Sequence, residues 1–367
     1  MNIKKNKQYK IKIALIFGGK SVEHEVSLQS ARNVLRAINN QKYKVLPIGI
    51  DKNGRWFSFS AREVLSGKPL FFQKNAVSVV PYTREKNFFL LKNGKVSEKI
   101  DAVFPLIHGP FGEDGTLQGL LKLFNVPFVG ADVIGSAIGM DKDVSKRLLK
   151  EAGVSVARFL VYRSNQKNNI SFEEIKKTFP SPFFIKPASL GSSVGVSKVR
   201  SKKEFISAFK SALTYDKKIL VEECVSGREI ECAVLGNEKP IASLPGEIIP
   251  SHDFYSYNAK YIDKNGAKLI IPAKLPKSMI KKIQALAIKT FETLCCEGMG
   301  RVDFFIDKDN RIFVNEINTI PGFTSISMYP KLWEHDGIVY SKLIDALIKL
   351  AFDRFDKEKK LKTSFSG

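Results

Sequence analysis

Apolar and polar positions along the first 50 residues follow two different spacings, which predict a β-strand, an α-helix and a second β-strand. Residues 12–17 form a short, mainly apolar run, and residues 45–50 form another. Between them, at 27–39, apolar residues recur every three or four positions, as on one face of a helix. These positions are Ala31, Val34, Leu35 and Ile38. The order strand, helix, strand is typical of an α/β fold with a parallel sheet.

The same pattern returns after a mixed, turn-rich excursion at 51–100. Residues 102–107 predict a strand, a glycine-rich loop follows at 108–115, and a helical segment leads to another strand at 126–129. We therefore predict that a first α/β domain ends near Met140.

Short strands dominate the rest of the chain. A basic amphipathic helix is predicted at 142–152, and strands are predicted at 183–186 and 219–224. Further strands, a helix at 277–295 and a hairpin at 301–318 follow. The predicted units are residues 1–140, 141–225 and 226–356, with a frayed tail at 357–367.

Length and cysteine content narrow the class of protein. A chain of 367 residues is long enough for two or three domains. The four cysteines show no paired spacing, which argues against a disulfide framework or a zinc site and favours a reducing cytosol. They are Cys224, Cys232, Cys295 and Cys296. The apolar run near the N-terminus is too short for a signal peptide, and no run could cross a membrane, so we expect a cytoplasmic protein without a membrane partner.

The strongly basic composition raises the alternative of a nucleic-acid-binding protein. Lysine and arginine number 59 against 37 aspartate and glutamate, which gives a net charge of +22. However, the lysines are spread along the chain and cluster only near its two ends, without an RNP-type aromatic motif. We therefore expect a lysine-rich solvated surface and no nucleic-acid partner. A nucleic-acid-binding protein remains a remote alternative hypothesis.

The hairpin at 301–318 carries the most informative polar pattern. If residues 308–309 form a two-residue turn, Arg301 lies opposite Glu316 and Asp303 lies opposite Val314. Side chains alternate between the two faces of a strand, so this pairing assigns each residue to a face. One face would carry Arg301, Asp303, Glu316 and Asn318, and the other Val302, Phe304, Asn315 and Ile317.

Three oxygen ligands would converge on the polar face of this hairpin. The carboxylates of Asp303 and Glu316 and the amide of Asn318 form a hard-oxygen set, which suits Mg²⁺ carrying nucleotide phosphates. The spacing leaves open an ordinary exposed polar face with salt bridges.

Two further segments are compatible with a nucleotide. An apolar strand ends in Lys186 and Pro187, and the small residues at 188–196 could fold backbone N–H groups over phosphate, although they do not form a Walker A loop. A second strand ends in Glu222 and Glu223, which could accept hydrogen bonds from adenine or ribose. Alone, the first segment could be a turn and the second a solvated strand end.

The loop after the first strand argues against a dinucleotide site there. It has Gly18 and Gly19 at the expected turn, but Glu23 and Glu25 follow closely, and carboxylates repel phosphate. We expect Glu25 to stabilise a helix N-terminus. Glu23 indicates a positively charged ligand.

A series of short motifs, taken in their order along the chain, is highly specific for one protein family. These are GG at 18–19 with EHEVS at 23–27, HGPFGEDG at 108–115, MDK at 140–142, KP at 186–187 with GSSVG at 191–195, GRE at 227–229, AKY at 259–261, RVD at 301–303, NEIN at 315–318, and PGFT at 321–324 with SM at 327–328. From about residue 13 to 350 the chain resembles the D-alanine–D-alanine ligases, ATP-grasp enzymes of peptidoglycan synthesis.

This resemblance implies a three-domain ATP-grasp architecture, mixed α/β and α+β, with an N-terminal doubly wound α/β domain that binds the first D-alanine. It implies ATP-dependent ligation of two D-alanines through a D-alanyl phosphate, and a bacterial, cytoplasmic homodimer. The cofactors would be ATP and two Mg²⁺ ions, with Mn²⁺ as an alternative. Related ATP-grasp ligases use D-serine or D-lactate as the second substrate, which remains an alternative.

The resemblance also implies roles for individual residues. ATP would contact Lys142, Lys186, Ser192, Ser193, Glu222, Glu223, Val225, Glu229 and Lys260, and the metal ions Asp303, Glu316 and Asn318. The first D-alanine would lie against Glu23 and His108, the oxyanion against Arg301 and the Gly322 N–H, and the second carboxylate against Ser327 and Met328.

A mobile lid at 253–261 is also implied by the resemblance. Its Tyr261 would join Ser192 and Glu23 in a hydrogen-bonded triad, and a tyrosine there favours an amine over D-lactate as second substrate. Closing the lid would exclude water from the acyl phosphate. One departure from the family is Gly300, where alanine is common, and we expect a looser strand start there.

Overall fold

The structure is a computed structural model that describes residues 9–70, 72, 75–82, 87–92, 95–165, 170–251 and 266–364. The predicted lid, with Lys260 and Tyr261, falls outside the described residues.

The first sheet confirms the predicted βαβ opening. Its strands run in the order β3-β2-β1-β7, and β1 pairs in parallel with both β2 and β7. The elements are β1 Ile11–Gly18, α1 His24–Ala37, β2 Tyr43–Ile50, β3 Trp56–Ser58, α2 Ala61–Leu65 and β7 Ala102–Pro105. Between α2 and β7 the turn-rich excursion forms a separate antiparallel sheet of β4 Val77–Tyr82, β5 Asn87–Lys92 and β6 Lys95–Ile100. Three helices follow: α3 Thr116–Leu123, α4 Val133–Met140 and α5 Lys142–Glu151.

The second sheet is antiparallel, in the order β10-β9-β11-β8. The elements of this part are β8 Phe159–Arg163, α6 Phe172–Thr178, β9 Phe183–Pro187, β10 Ser197–Val199, α7 Lys202–Tyr215 and β11 Lys218–Glu223. A phenylalanine-rich core, including Phe172, Phe183 and Phe205, lies between the sheet and its helices. Because β9 and β11 are neighbours, Lys186 lies opposite Leu220 and close to Glu222.

The third sheet carries the predicted metal ligands. Its strand order is β15-β14-β12-β16-β17, and β13 pairs with β12. The elements are β12 Gly227–Gly236, β13 Ile241–Ala242, β14 Gly246–Pro250, β15 Ala267–Ile270, α8 Lys277–Thr293, β16 Gly298–Asp307, β17 Ile312–Asn318, α9 Met328–His335 and α10 Tyr340–Glu358. Helix α10 continues two residues into the predicted tail. The predicted boundaries at 140 and 225 stay predictions.

The observed polar face of the β16–β17 hairpin agrees with the predicted one, but the observed strand register differs from the predicted register. The turn holds three residues, 308–310, with Asn310 at φ +59°, and Asn315 is an extra residue on β17 where the register shifts. Each irregularity shifts the pairing by one, so Arg301 faces Asn318 and Asp303 faces Glu316. The two shifts together keep the four polar residues on one face. The predicted pairs were wrong, and so was the opposite face for Asn315, which lines the same cavity as Glu316.

One hydrophobic core joins the first sheet to the C-terminal segment. It contains residues of β1 and α1 together with Phe323 and residues of α9 and α10. Arg354 on α10 donates hydrogen bonds to the carbonyls of Phe128 and Gly130, at 2.8 and 2.6 Å. The loop at 321–324 is thereby fixed against the N-terminal half. Within the described residues, no helix is both long and apolar enough to span a bilayer.

Candidate functional site

A cavity of about 470 Å³ lies between the second and third sheets. Most of the residues predicted to bind ATP line it: Lys142, Lys186, Ser193, Glu222, Glu223, Val225 and Glu229. The metal-ligand candidate Glu316 lines it too. The structure therefore brings together side chains that are far apart in sequence, in a space that suits a nucleotide.

Lys186 belongs to a buried group of three charges. Its Nζ lies 2.5 Å from Oε1 of Glu222, and Nζ of Lys146 lies 2.9 Å from Oε2 of the same carboxylate. Burial lowers the pKa of Lys186, and the positive charges of Lys146 and Lys142 lower it further, whereas Glu222 opposes the shift. The three side chains carry a net positive charge at the cavity wall, which suits phosphate.

Lys142 projects from the first turn of α5 and connects two walls of the cavity. Its Nζ lies 3.0 Å from Oε2 of Glu316 and donates to the carbonyl of Leu190 at 2.7 Å. The Asp141 side chain caps α5 by accepting from two backbone N–H groups, so the helix begins where Lys142 is needed.

The small-residue loop after Lys186 has a special backbone. Ser192, Ser193 and Gly195 all have positive φ, at +51°, +59° and +70°. The Ser192 hydroxyl donates to Oε1 of Glu23, which comes from the loop before α1. This hydrogen bond joins two members of the implied triad and connects the cavity to the N-terminal half.

Glu23 is buried close to the first sheet. Gly18 makes the preceding turn at φ +87°, where a Cβ would come within 2.2 Å of the Ile50 carbonyl. At Gly109 a Cβ would lie 2.9 Å from Oε2 of Glu23, so only glycine leaves that carboxylate in place. Helix α1 begins at His24, which places Glu25 in its first turn, as expected.

His108 is buried near Glu23 and is neutral. Its Nδ1 lies 3.0 Å from the Ile320 carbonyl, and its Nε2 lies 3.3 Å from Oγ of Ser30. A carbonyl only accepts, so Nδ1 carries the proton and Nε2 is the acceptor. Burial lowers the pKa of His108, although the nearby Glu23 carboxylate opposes this effect.

Glu113, to which the sequence analysis gave no role, is a buried carboxyl group in the same region. Its Oε2 accepts from the Gly109 N–H at 3.0 Å. Burial and the neighbouring Glu23 charge raise the pKa of Glu113 to about 8. The group is therefore largely protonated at neutral pH, which reduces repulsion with Glu23.

The raised pKa of Glu113 predicts a pH-dependent stability. The folded protein binds this proton up to about pH 8, against an ordinary value of 4.5, so its contribution is full below pH 4.5 and is lost as the pH rises through 8. Glu113→Gln, which removes the titration, should gain melting temperature relative to the unsubstituted protein between pH 5 and pH 8.5. The matched control is Glu98→Gln, because Lys12 and Lys44 hold the pKa of Glu98 below its ordinary value and its contribution changes only in acid. Equal effects at both pH values for Glu113→Gln would contradict the assignment.

The hairpin face holds the candidate metal ligands together with cations. Arg301 donates from Nε and Nη2 to the two carboxylate oxygens of Asp303, each at 2.8 Å. Asn318 Nδ2 donates to Oδ2 of Asp303 at 3.1 Å, and Lys142 pairs with Glu316. Two carboxylates and an amide on adjacent strands, facing positive charges, are chemically suited to Mg²⁺.

The segment before α9 holds the remaining substrate candidates. Ser327 caps α9, and its Oγ accepts from the Thr324 N–H at 2.9 Å. Met328 begins the helix, where backbone N–H groups have no intrahelical partner and suit a carboxylate. A Cβ at Gly322 would come within 2.7 Å of Ser327 Oγ, so this turn is tightly packed.

Glu223 and Gly300 each have close protein contacts in the structure. Both carboxylate oxygens of Glu223 accept from Arg158, at 2.7 and 2.6 Å, so this side chain already has a protein partner. At Gly300 a Cβ would lie 3.0 Å from the Phe291 ring, which is tight packing and not the looseness we expected.

Sequence reasoning missed Lys146 and Glu231 in addition to Glu113. Lys146 lies one helical turn after Lys142 on the predicted helix, a spacing that could have placed both on one face. Glu231 lies on β12 directly opposite Asp303, which no local pattern indicates.

Two family models match the chain. The model described as D-ala D-ala ligase N-terminus matches residues 12–131, and the one described as D-ala D-ala ligase C-terminus matches residues 148–349.

Individual relatives are similar over almost their whole length. A D-alanine–D-alanine ligase of Oceanobacillus iheyensis is 52% identical, over 97% of this chain and 99% of the relative. D-alanine–D-alanine ligase A of Escherichia coli K12 is 46% identical, with the same coverage. Among solved structures, the D-alanine-D-alanine ligase from Coxiella burnetii superposes with a TM-score of 0.83 at 39% identity, covering 96% of each chain. The VanG D-Ala:D-Ser ligase from Enterococcus faecalis also gives 0.83 at 39% identity, covering 94% of this chain and 100% of that one.

Proposed function

Because the chain belongs to the D-alanine–D-alanine ligase family, we propose that it uses ATP to join two D-alanine molecules into D-alanyl-D-alanine for peptidoglycan precursors. The observation that carries this proposal is the contact between Glu23 and Ser192. This contact supports the proposal because a carboxylate, which suits an amino-acid ammonium group, lies beside the loop and lysines that suit ATP phosphates.

The proposed reaction has two steps. A carboxylate oxygen of the first D-alanine attacks the γ-phosphorus of ATP, the bond to the bridging oxygen breaks, and ADP leaves. The neutral amine nitrogen of the second D-alanine then attacks the acyl carbon, phosphate departs with the electron pair of the C–O bond, and the nitrogen gives up one proton to the departing phosphate. Negative charge grows first on phosphoryl oxygens and then on the tetrahedral oxyanion, so fixed cations and N–H donors are what both steps need.

The residues of this chain divide these tasks. Lys142 and Lys186 bind the phosphates, assisted by the 191–195 loop, and Glu23 holds the first ammonium group. Arg301 stays charged at any working pH and, with the Gly322 N–H, stabilises the oxyanion. Ser327 and the Met328 N–H hold the second carboxylate, while neutral His108 contributes a dipole beside the first. Asp303, Glu316 and Asn318 would hold Mg²⁺, which when bound neutralises charge on the transferred phosphoryl group.

The finer expectations are part of the same proposal. Two Mg²⁺ ions and a homodimer follow from family resemblance. Action in the cytoplasm follows from the resemblance and from the unpaired cysteines, and the absence of a nucleic-acid partner follows from the spread of the lysines. By resemblance, Tyr261 would join Ser192 and Glu23 in the triad and Lys260 would contact ATP, although both lie outside the described residues. The relatives named as D-alanine–D-alanine ligases at 46–52% identity do not favour D-serine or D-lactate as the acceptor.

The decisive experiment incubates the protein with ATP, Mg²⁺ and D-alanine, and detects ADP and the dipeptide by mass spectrometry. L-alanine is the control, and D-serine and D-lactate test the acceptor. Without D-alanine-dependent ADP formation the proposal fails. Salt-sensitive retention on DNA or RNA without ATP turnover would instead support the nucleic-acid alternative.

Glu23→Gln should weaken the first D-alanine more than ATP. Losing a charge-assisted hydrogen bond costs about 1.5–3 kcal/mol, so the KM for the first D-alanine should rise roughly 10- to 100-fold. The KM for ATP should change far less. Glu25→Gln is the matched control, since Glu25 lies two residues away, is 71% exposed and pairs with Lys52. Unchanged affinity for the first D-alanine in Glu23→Gln would rule out this role.

A further inference from the structure

Arg301 is paired with two carboxylates at once. Besides its two hydrogen bonds to Asp303, its Nε lies 2.9 Å from Oε2 of Glu231. Glu231 on β12 lies directly opposite Asp303 on β16, so both acids flank the arginine on the same face of the sheet. All three side chains are largely buried, at 16% exposure for Arg301, 14% for Asp303 and 8% for Glu231.

Only one of these two acids has a second task. Asp303 is a proposed metal ligand, yet both of its oxygens accept hydrogen bonds from Arg301, and Oδ2 also accepts from Asn318. A metal ion would use the same lone pairs, so it must compete with the guanidinium. Removing the anionic partner of a buried arginine strongly destabilises the folded protein, because the free-energy cost of desolvating the guanidinium is then no longer compensated.

We propose that Glu231 is the positioning residue that holds Arg301 in place when Asp303 turns to the metal ion. The inference rests on the function proposed above. Glu231 is close enough to accept the guanidinium without a movement of the backbone. Glu231 thus keeps Asp303 available to Mg²⁺ and keeps Arg301 at the oxyanion.

Without the Glu231 carboxylate, Arg301 would lose one of the two carboxylates that flank it. The guanidinium would then bind Asp303 more tightly, and a metal ion would have to displace it from that carboxylate. Metal affinity and kcat should therefore fall together. Substitutions of groups that orient metal ligands typically cost 10- to 100-fold in affinity or activity.

The test measures Mn²⁺ binding by electron paramagnetic resonance in the presence of saturating ADP, which needs no turnover. In Glu231→Gln we expect the Mn²⁺ dissociation constant to rise about 10-fold or more and kcat to fall by a similar factor. Glu231→Asp, which keeps the charge, should restore part of both. Asp307→Asn is the matched control, because it breaks another carboxylate–arginine pair at the far end of the same hairpin and should change neither.

A double-mutant cycle separates positioning from a direct effect of charge on the metal. If Glu231 acts through Arg301, Glu231→Gln should no longer weaken Mn²⁺ binding in an Arg301→Met background. Two outcomes overturn the proposal. One is an equal loss of Mn²⁺ affinity on Glu231→Gln substitution in both backgrounds, and the other is a Mn²⁺ dissociation constant for the Glu231→Gln single variant within two-fold of that of the unsubstituted protein. Circular dichroism confirms that each variant is folded. If the unsubstituted protein forms no ADP with D-alanine, the proposed function fails, whereas the Mn²⁺ cycle still decides the role of Glu231.

Discussion

Replacing Arg301 with methionine is expected to lower kcat about 100- to 1000-fold, which is the usual cost of removing one oxyanion donor. Arg301 is the permanent cation on the face that carries Asp303, Glu316 and Asn318. Methionine keeps much of the length and packing of the side chain but has no charge. Steady-state ADP release with saturating ATP and D-alanine measures the effect.

Arg311→Met is the matched control for this substitution. Arg311 lies at the turn of the same hairpin, its side chain is 66% exposed, and it pairs with Asp307. Its loss should leave kcat within about two-fold, because exposed ion pairs contribute little. A kcat for Arg301→Met within ten-fold of the unsubstituted protein would show that the oxyanion is stabilised elsewhere.

Phe323→Ala should lower the free energy of unfolding by about 3–5 kcal/mol. The side chain is fully buried, and its ring lies 5.8 Å from that of Phe104, 5.9 Å from Tyr329 and 6.0 Å from Tyr340. Alanine would leave a cavity in the core that joins the first sheet to α9 and α10. Urea denaturation followed by circular dichroism measures the loss.

Ile326→Ala controls for substitution in the same segment. Ile326 is 60% exposed, so its truncation should cost less than about 0.5 kcal/mol. A loss below about 1 kcal/mol for Phe323→Ala would mean that the two halves do not depend on this core. A larger loss should also weaken D-alanine binding, because Phe323 lies next to Gly322 and fixes that turn.

The hairpin at 301–318 shows which structural features could be predicted from the sequence and which could not. The alternation of polar and apolar residues identified the correct polar face of Arg301, Asp303, Glu316 and Asn318. The two-residue turn was wrong, because Asn310 tolerates positive φ and forms a three-residue turn. The extra residue on β17 is a bulge in its pairing with β16, which the alternation of polar and apolar residues does not reveal.

Burial of charged side chains could not be predicted from the sequence either. Lysine is normally solvated, so nothing marked Lys146 as fully buried. Its ion-pair partner is Glu222, which lies on β11 and is distant in sequence. The resemblance to a family gave residue roles that periodicity could not, but it did not reveal Lys146, Glu113 or Glu231.

In the proposed function, the pairing of Lys142 with Glu316 would couple the binding of a metal ion to the binding of a nucleotide. A metal ion on Glu316 would release Lys142 for phosphate, and phosphate on Lys142 would release Glu316 for the metal. Each ligand removes a competitor of the other, so each should raise the other's affinity by the same factor. The proposed function therefore predicts that the cleft binds the metal–nucleotide complex as one unit in preference to either component alone.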